Sequence, residues 1–347
     1  MLHVFVQLFR GVLIAMLASF LAACVPTIQR ANIPEPGFSG PSFQATKFIS
    51  QDGAALGLSS WQPADGADPK AVIIALHGMN DYARAFELAG PYWAEQGIAT
   101  YAYDARGFGR SPERGIWGGQ DLMLEDLRTA IGVARAKHPH IPVTVVGESM
   151  GAATILAALG DDNPPLVDRV VLIAPAVWGW SNLPLAYKIS LWVTAHTPVS
   201  LRPINPPRAI VRKIRASDNI AMLQRLGRDP NMLFATRLDA VYGLVNLMER
   251  AFKSVSKVPP HTLVLYGSKD QIIPRPSVER TVARLPATIQ SVEYPDGYHM
   301  LTRDLQAQRV WRDIVAFIDD PTKPVPSRLD TPPLGPINIA PRRARAK

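Results

Sequence analysis

The sequence has one cysteine, Cys24, among 347 residues. An intramolecular disulfide is therefore impossible, and no second thiol is present to share a metal or a redox reaction. Charged side chains are few, 19%, against 47% hydrophobic residues. That balance excludes a wholly disordered chain and supplies material for a sizeable core. No internal repeat is visible, which excludes a solenoid or propeller array. The positive charge is not spread along the chain either, although the formal net charge is +8. Arg202, Arg208, Arg212, Lys213, Arg215, Arg225 and Arg228 face only Asp218 and Asp229 within 202–230. Lys323, Arg328, Arg342, Arg343, Arg345 and Lys347 face only Asp330 within 321–347. Elsewhere the mature chain is slightly acidic. Basicity confined to one insert and one tail argues against a body that embraces nucleic acid.

The N-terminus is the second informative stretch. Residues 11–23, GVLIAMLASFLAA, follow Arg10 and are too short to span a bilayer comfortably. The run ends in Leu21-Ala22-Ala23-Cys24, which resembles the bacterial lipobox. On that resemblance residues 1–23 are a lipoprotein signal peptide and Cys24 is the lipidated first residue of the mature protein. The protein is then expected in the bacterial cell envelope, anchored to a membrane and facing the periplasm or exterior, held firmly if more than one acyl chain is attached. Residues 24–42, with Pro26, Pro34, Pro36, Gly37, Gly40 and Pro41, read as an extended tether. Residues 321–347 carry seven prolines and six basic side chains with no core-forming pattern, and read as disordered.

Between them, 43–320 read as one domain. A hairpin is predicted from Phe43–Ile49 and Leu56–Trp61 about a turn at Asp52-Gly53. Short uninterrupted apolar runs follow at 71–76 (AVIIAL), 99–103, 143–146, 170–173 and 262–266, with a weaker one at 290–294. A strand buried on both faces requires such a run. Helical periodicity separates them, most clearly at 121–137, where Leu124, Leu127, Ile131 and Ala134 share a face. Strand and helix in alternation predict βαβ units and a mostly parallel sheet with flanking helices. The alternation breaks after Ala174-Pro175, and 177–257 read as a helical cap inserted over the sheet edge, with helices near 184–195, 217–227 and 239–253.

The chemistry sits where VTVV runs into Gly147-Glu148-Ser149-Met150-Gly151 and then AATILAALG. A serine on a sharp strand-to-helix turn takes strained dihedrals, and glycine on either side lets neighbouring chain approach without a Cβ. The turn presents Ser149 at the carboxyl edge of the sheet and aims the Met150 amide at a developing oxyanion. A serine hydroxyl needs a base near neutral pH. Of seven histidines, His299 in Gly297-Tyr298-His299-Met300 follows the last strand and precedes the final helix, where a loop reaches the elbow. His196 in the cap is the alternative. The acid that fixes the imidazole tautomer reads as Asp270, just past TLVLY. Asp296, in the turn Pro295-Asp296-Gly297, competes for that role. The other oxyanion donor reads as the Met79 amide of His77-Gly78-Met79-Asn80. Asp104 and Arg106 read as a structural ion pair bracing their loop. The chain order Ser149, Asp270, His299 is that of α/β-hydrolases, so the expected fold is α/β, an α/β-hydrolase with a helical cap.

HG at 77–78, DARGFGRS at 104–111, GESMG at 147–151, the YGSKDQIIP run around Asp270 and GYHM at 297–300 together resemble the monoacylglycerol lipase and lysophospholipase branch of α/β-hydrolases, often grouped with serine aminopeptidases. The resemblance spans roughly 43–318. It implies hydrolysis of ester bonds in single-acyl lipids or small esters, with neither metal nor nucleotide cofactor. Three residues depart from the pattern: Asn80 where glycine is usual in HGxG, Glu148 where histidine often precedes the nucleophile, and Ala152 where glycine often follows the elbow. Trp178, Trp180, Leu183, Leu191 and Trp192 in the cap suit either an acyl channel, a lipid-facing surface or plain packing. A small-ester esterase or an acyltransferase would use the same triad. An envelope protein that only binds has no need of all three groups in order, and an aminopeptidase would need carboxylates in a cap that is net basic.

Overall fold

The computed structural model describes residues 25–205, 213–330 and 334. Eleven strands are present among them: β1 (Ser42–Phe43), β2 (Lys47–Ile49), β3 (Ala55–Trp61), β4 (Ala71–Leu76), β5 (Ile98–Tyr103), β6 (Val143–Glu148), β7 (Arg169–Ile173), β8 (Pro203–Ile204), β9 (Thr236–Arg237), β10 (Thr262–Gly267) and β11 (Gln290–Tyr294). Nine form one sheet in the order β1-β2-β3-β5-β4-β6-β7-β10-β11. From β5 to β11 every pairing is parallel, while β1, β2 and β3 run antiparallel at one edge. Every residue of β4, β5, β6 and β10 is buried, as uninterrupted apolar runs require. The period of two divides the core: Val72, Ile74 and Leu76 face one layer, and Ala71, Ile73 and Ala75 the other.

Helices α1 (Ala89–Glu95), α2 (Gln120–Lys137), α3 (Met150–Leu159), α4 (Leu185–Ala195), α5 (Ile220–Leu226), α6 (Leu238–Ser254), α7 (Arg275–Val282), α8 (Ala307–Asp319) and α9 (Pro326–Asp330) complete the described fold. Trp93 of α1 and Val310, Ile314 and Phe317 of α8 cover one face of the sheet. Leu124 and Leu127 of α2, all of α3, and Leu247, Met248 and Ala251 of α6 belong to the core on the other face. The small side chains of α3 let α6 lie close across it. A Cβ on Gly160, just past α3, would overlap the Ser254 side chain at the end of α6.

Four sequence readings change. The insert does not belong to the cap as far as residue 257, because α6 packs on α3 and joins the core on that face of the sheet. A parallel step from β7 to β10 needs a crossover helix on the sheet face, and α6 fills that place. The cap ends near Arg237 and holds α4, α5 and the antiparallel β8–β9 pair. The first hairpin is broken within Phe43–Ile49, where Gln44 N–H donates to the Lys47 carbonyl at 2.8 Å, giving β1 and β2. The tether is bound to the body at Thr27–Gln29. Thr27 N–H donates to Asp239 at 3.3 Å, and the Gln29 side chain donates to the Ile116 carbonyl at 3.0 Å. Residues 321–330 are ordered, because the half-buried Gln290 and buried Asp313 find their partners there. Gln290 donates to the Pro321 and Lys323 carbonyls, and Asp313 accepts from Ser327 N–H. Residues 1–23, expected from sequence to be a signal peptide, Cys24 and the tail's 331–333 and 335–347 lie outside the described residues.

Candidate active site

Ser149 joins β6 to α3 with φ 56° and ψ −113°, a conformation that costs a residue with a Cβ about 1–3 kcal/mol. The fold holds it there. Ser149 N–H donates to the Ile173 carbonyl at 2.9 Å, and its own carbonyl accepts from Ala153 and Ala176, both at 3.1 Å. The flanking glycines are required by contact. A Cβ on Gly147 would lie 2.5 Å from the Ala152 nitrogen, and one on Gly151 would overlap the Leu76 carbonyl. Ser149 keeps 8% of its surface exposed.

Gly78 approaches the serine from the other side: a Cβ there would lie 3.2 Å from Ser149 Cβ. The loop after β4 is fixed by His77, which is buried. Its Nδ1–H donates to the Gly78 carbonyl at 2.7 Å, and its Nε2 accepts from Ala105 N–H at 2.9 Å. Burial pushes the His77 pKa down, so the neutral ring acts as a clasp between two loops. The Met79 amide makes no hydrogen bond among the described residues, and Met150 opens α3, where the first amides have no partner within the helix. Both donors expected from sequence are thus free beside Ser149.

Asp270 and His299 are brought together by the close approach of their loops. Lys269 N–H donates to the Gly297 carbonyl at 2.9 Å, and a Cβ on Gly267 would overlap that same carbonyl. His299 Nδ1 lies 2.8 Å from Asp270 Oδ2. Asp270 Oδ1 accepts from Ile272 N–H at 2.7 Å and Ile273 N–H at 3.0 Å. His299 is 6% exposed. Burial alone would lower its pKa, but the Asp270 hydrogen bond and charge, with Glu148 adding, raise it above the ordinary value. Asp296 is exposed and pairs with Lys269 at 2.6 Å. His196 ends α4, with Nδ1 on the Trp192 carbonyl at 2.7 Å. Neither rival meets the other triad members.

Asp104 and Arg106 do brace their loop, but not through each other. Asp104 accepts from Ala83 N–H and from the amide and guanidinium of Arg110. Arg106 pairs with Asp52 and Asp126, each at 2.8 Å. Asn80 takes φ +66° and ties the oxyanion loop to the returning cap. Its Nδ2 donates to Thr236 Oγ1 at 2.8 Å, and its carbonyl accepts from Leu233 N–H at 3.0 Å. A glycine there could not make the side-chain bond. Sequence reading missed Asp81, Thr302, Arg303 and Asp304, which surround the serine and histidine loops.

The family described as serine aminopeptidase, S33 matches residues 67–306. Monoacylglycerol lipase of Mycolicibacterium smegmatis is 26% identical over 291 residues, which cover 78% of this chain and 95% of that protein. Monoglyceride lipase of Rattus norvegicus is 23% identical over 265 residues, 74% of this chain and 84% of the relative. Among solved structures, Paleococcus ferrophilus monoacylglycerol lipase superposes with a TM-score of 0.63 at 20% identity, over 77% of this chain and 99% of its own. A carboxyl esterase from Bacillus coagulans, in complex with glycerol, reaches 0.65 at 19% identity, over 81% and 99%. These two structures establish the likeness of fold. The chain belongs to the serine aminopeptidase S33 family and is an α/β-hydrolase of its monoacylglycerol lipase-like branch.

Proposed function

We propose that the protein hydrolyses carboxylic esters of monoacyl lipids, a monoacylglycerol or a lysophospholipid, through an acyl-enzyme on Ser149. The observation that carries this is the His299 Nδ1 hydrogen bond to a buried Asp270 carboxylate, on loops that converge on a serine held in a strained elbow. Ser149 Oγ attacks the ester carbonyl while His299 Nε2 takes its proton, and Asp270 steadies the imidazolium. The Met79 and Met150 amides receive the oxyanion. Its collapse breaks the bond to the alcohol, which leaves with the proton from His299. Water, deprotonated by the same ring, then releases the fatty acid.

Two features of the cap favour an acyl substrate over a peptide. Its only acidic residues, Asp218 and Asp229, are engaged with Leu305 N–H and with Tyr82 Oη and Asn231 N–H, leaving no cluster for a substrate ammonium. Helix α4 turns apolar side chains outward, with Leu185 71%, Tyr187 64%, Ile189 56% and Trp192 45% exposed. Trp178, Trp180, Leu183 and Leu191 instead pack against the core. An exposed apolar face beside Lys188 suits a lipid surface. Anchoring through an acylated Cys24 fits the same reading. Three residues span at most about 10 Å, so the anchor would sit close to Thr27 on the body and present the enzyme to the bilayer. Cys24→Ser is then expected to release the enzyme from the membrane fraction or leave it unprocessed.

The test is kcat/KM over 4-nitrophenyl esters from acetate to laurate, with 1-monoacylglycerol and lysophosphatidylcholine alongside and Ser149→Ala as control. Medium or long chains should be favoured by at least ~1 kcal/mol, about fivefold, as one or two buried methylenes supply. A preference for acetate would make the protein a small-ester esterase.

A further inference from the structure

The oxyanion loop, the nucleophile elbow and the His299 loop meet over one buried charge cluster. Arg303 Nη2 lies 2.6 Å from Asp81 Oδ2 and 3.5 Å from Glu148 Oε1. Thr302 Oγ1 donates to Glu148 Oε2 at 3.1 Å. Asp81, Glu148, Thr302 and Arg303 are all buried. Asp81 stands three residues past Gly78, Glu148 immediately before Ser149, and Thr302 and Arg303 just after His299. A buried charge cluster is a weak source of stability. Burying charges is repaid only when every donor is satisfied, and Arg303 Nε and Nη1 find no partner among the described residues. A local cost of this kind, set beside a nucleophile, points to a role in the reaction.

We propose that Glu148 is a positioning residue for His299: clamped by Thr302 and Arg303, its carboxylate docks the His299 loop on the elbow and places a second negative charge under that loop. Glu148 occupies the one place in the elbow that touches both the serine, through the chain, and the histidine loop, through Thr302. Each new positive charge on the His299 ring during acyl transfer is then met by Asp270 at Nδ1 and by Glu148 through space. The charges that act on Glu148 are Arg303, Asp81, His299 and, from the start of the segment leading to α8, Asp304. Those that act on His299 are Asp270, Glu148 and Arg303. Burial, with the Asp81 charge adding, holds the Glu148 pKa above its ordinary value, and the Arg303 charge and the Thr302 hydroxyl hold part of that rise back. Both of these partners stabilise the carboxylate over the acid.

The proposal rests on the ester-hydrolase reading, and the two fail differently. Wild-type turnover of 4-nitrophenyl butyrate, lost in Ser149→Ala, establishes the reading. The proposal is tested by the pH profiles of kcat/KM and kcat for Glu148→Gln, Arg303→Gln and Arg303→Lys. Glu148→Gln retains an oxygen for Thr302 and removes the charge. Loss of a nearby anion lowers the imidazole pKa, so the acid limb moves down by about one pH unit. kcat falls about tenfold with KM within twofold, the rate equivalent of that loss. Arg303→Gln removes the cation that keeps Glu148 a carboxylate, so kcat falls as in Glu148→Gln, and Arg303→Lys restores it toward wild type. A limb that stays in place in Glu148→Gln, with kcat within twofold, overturns the proposal. Should that variant fail to fold, Arg303→Gln decides: kcat within twofold of wild type overturns it equally.

Discussion

Asp270→Asn is the perturbation for which the structure gives the sharpest expectation. Asp270 Oδ1 is held by two backbone donors, Ile272 and Ile273 N–H, and Oδ2 faces His299 Nδ1. In the carboxamide, oxygen must stay on the two amides, because turning the NH2 group toward them would oppose donor to donor. The NH2 then faces His299 Nδ1 and obliges that nitrogen to accept. The ring proton moves to Nε2, the atom that must take the Ser149 proton, and general-base catalysis stops. The loss expected from a wrong tautomer is about ten-thousand-fold in kcat, roughly 5.5 kcal/mol. Packing should be almost unaffected, because the exchange is isosteric and the two amide bonds survive. The assay is steady-state kcat on 4-nitrophenyl butyrate beside a thermal melt. A loss smaller than tenfold in a folded variant refutes the assignment, and so does a large loss in Asp296→Asn instead.

Two further expectations follow from geometry. Gly160→Ala places a Cβ against Ser254 and should cost about 1–3 kcal/mol by overpacking, lowering Tm by roughly 2–4 °C per kcal/mol. Adding Ser254→Gly should recover part of it, and no effect in either would return α6 to the cap. His299 is raised above its ordinary 6.5, with Asp270 and Glu148 overcoming burial, so the acid limb of kcat/KM should lie above pH 6.5. The same raised pKa contributes stability that is present below 6.5 and lost as pH rises through the folded value. A limb below 6.5 in the free enzyme contradicts the pairing.

The sheet was legible in the sequence where one residue pattern allowed one structure. AVIIAL at 71–76 is buried on both faces, and its strand has the expected bounds. Gly147 and Gly151 were read as glycines the backbone requires, and both positions exclude a Cβ by contact. Less could be read where two structures share a pattern. The amphipathic face of α6 suits a cap helix and a crossover helix alike, and its packing partner α3 lies about 80 residues earlier in the chain. Pro26 and Pro34 signal an extended chain, but whether it is free depends on the carbonyls of 112–116 that Gln29 finds. Arg303 offers no local signal at all, because its partners Asp81 and Glu148 come from two other loops. Buried ion pairs between distant segments are fixed by the tertiary fold, so periodicity and turn chemistry do not reveal them.

The central claim is that Ser149 is the activated nucleophile. Intact-protein and peptide mass spectrometry after reaction with a fluorophosphonate tests it most directly. The account predicts one adduct per chain, on the peptide containing Ser149, absent in Ser149→Ala and slowed by several orders of magnitude in Asp270→Asn. Ester turnover that persists in Ser149→Ala, or an adduct on another residue, would contradict it.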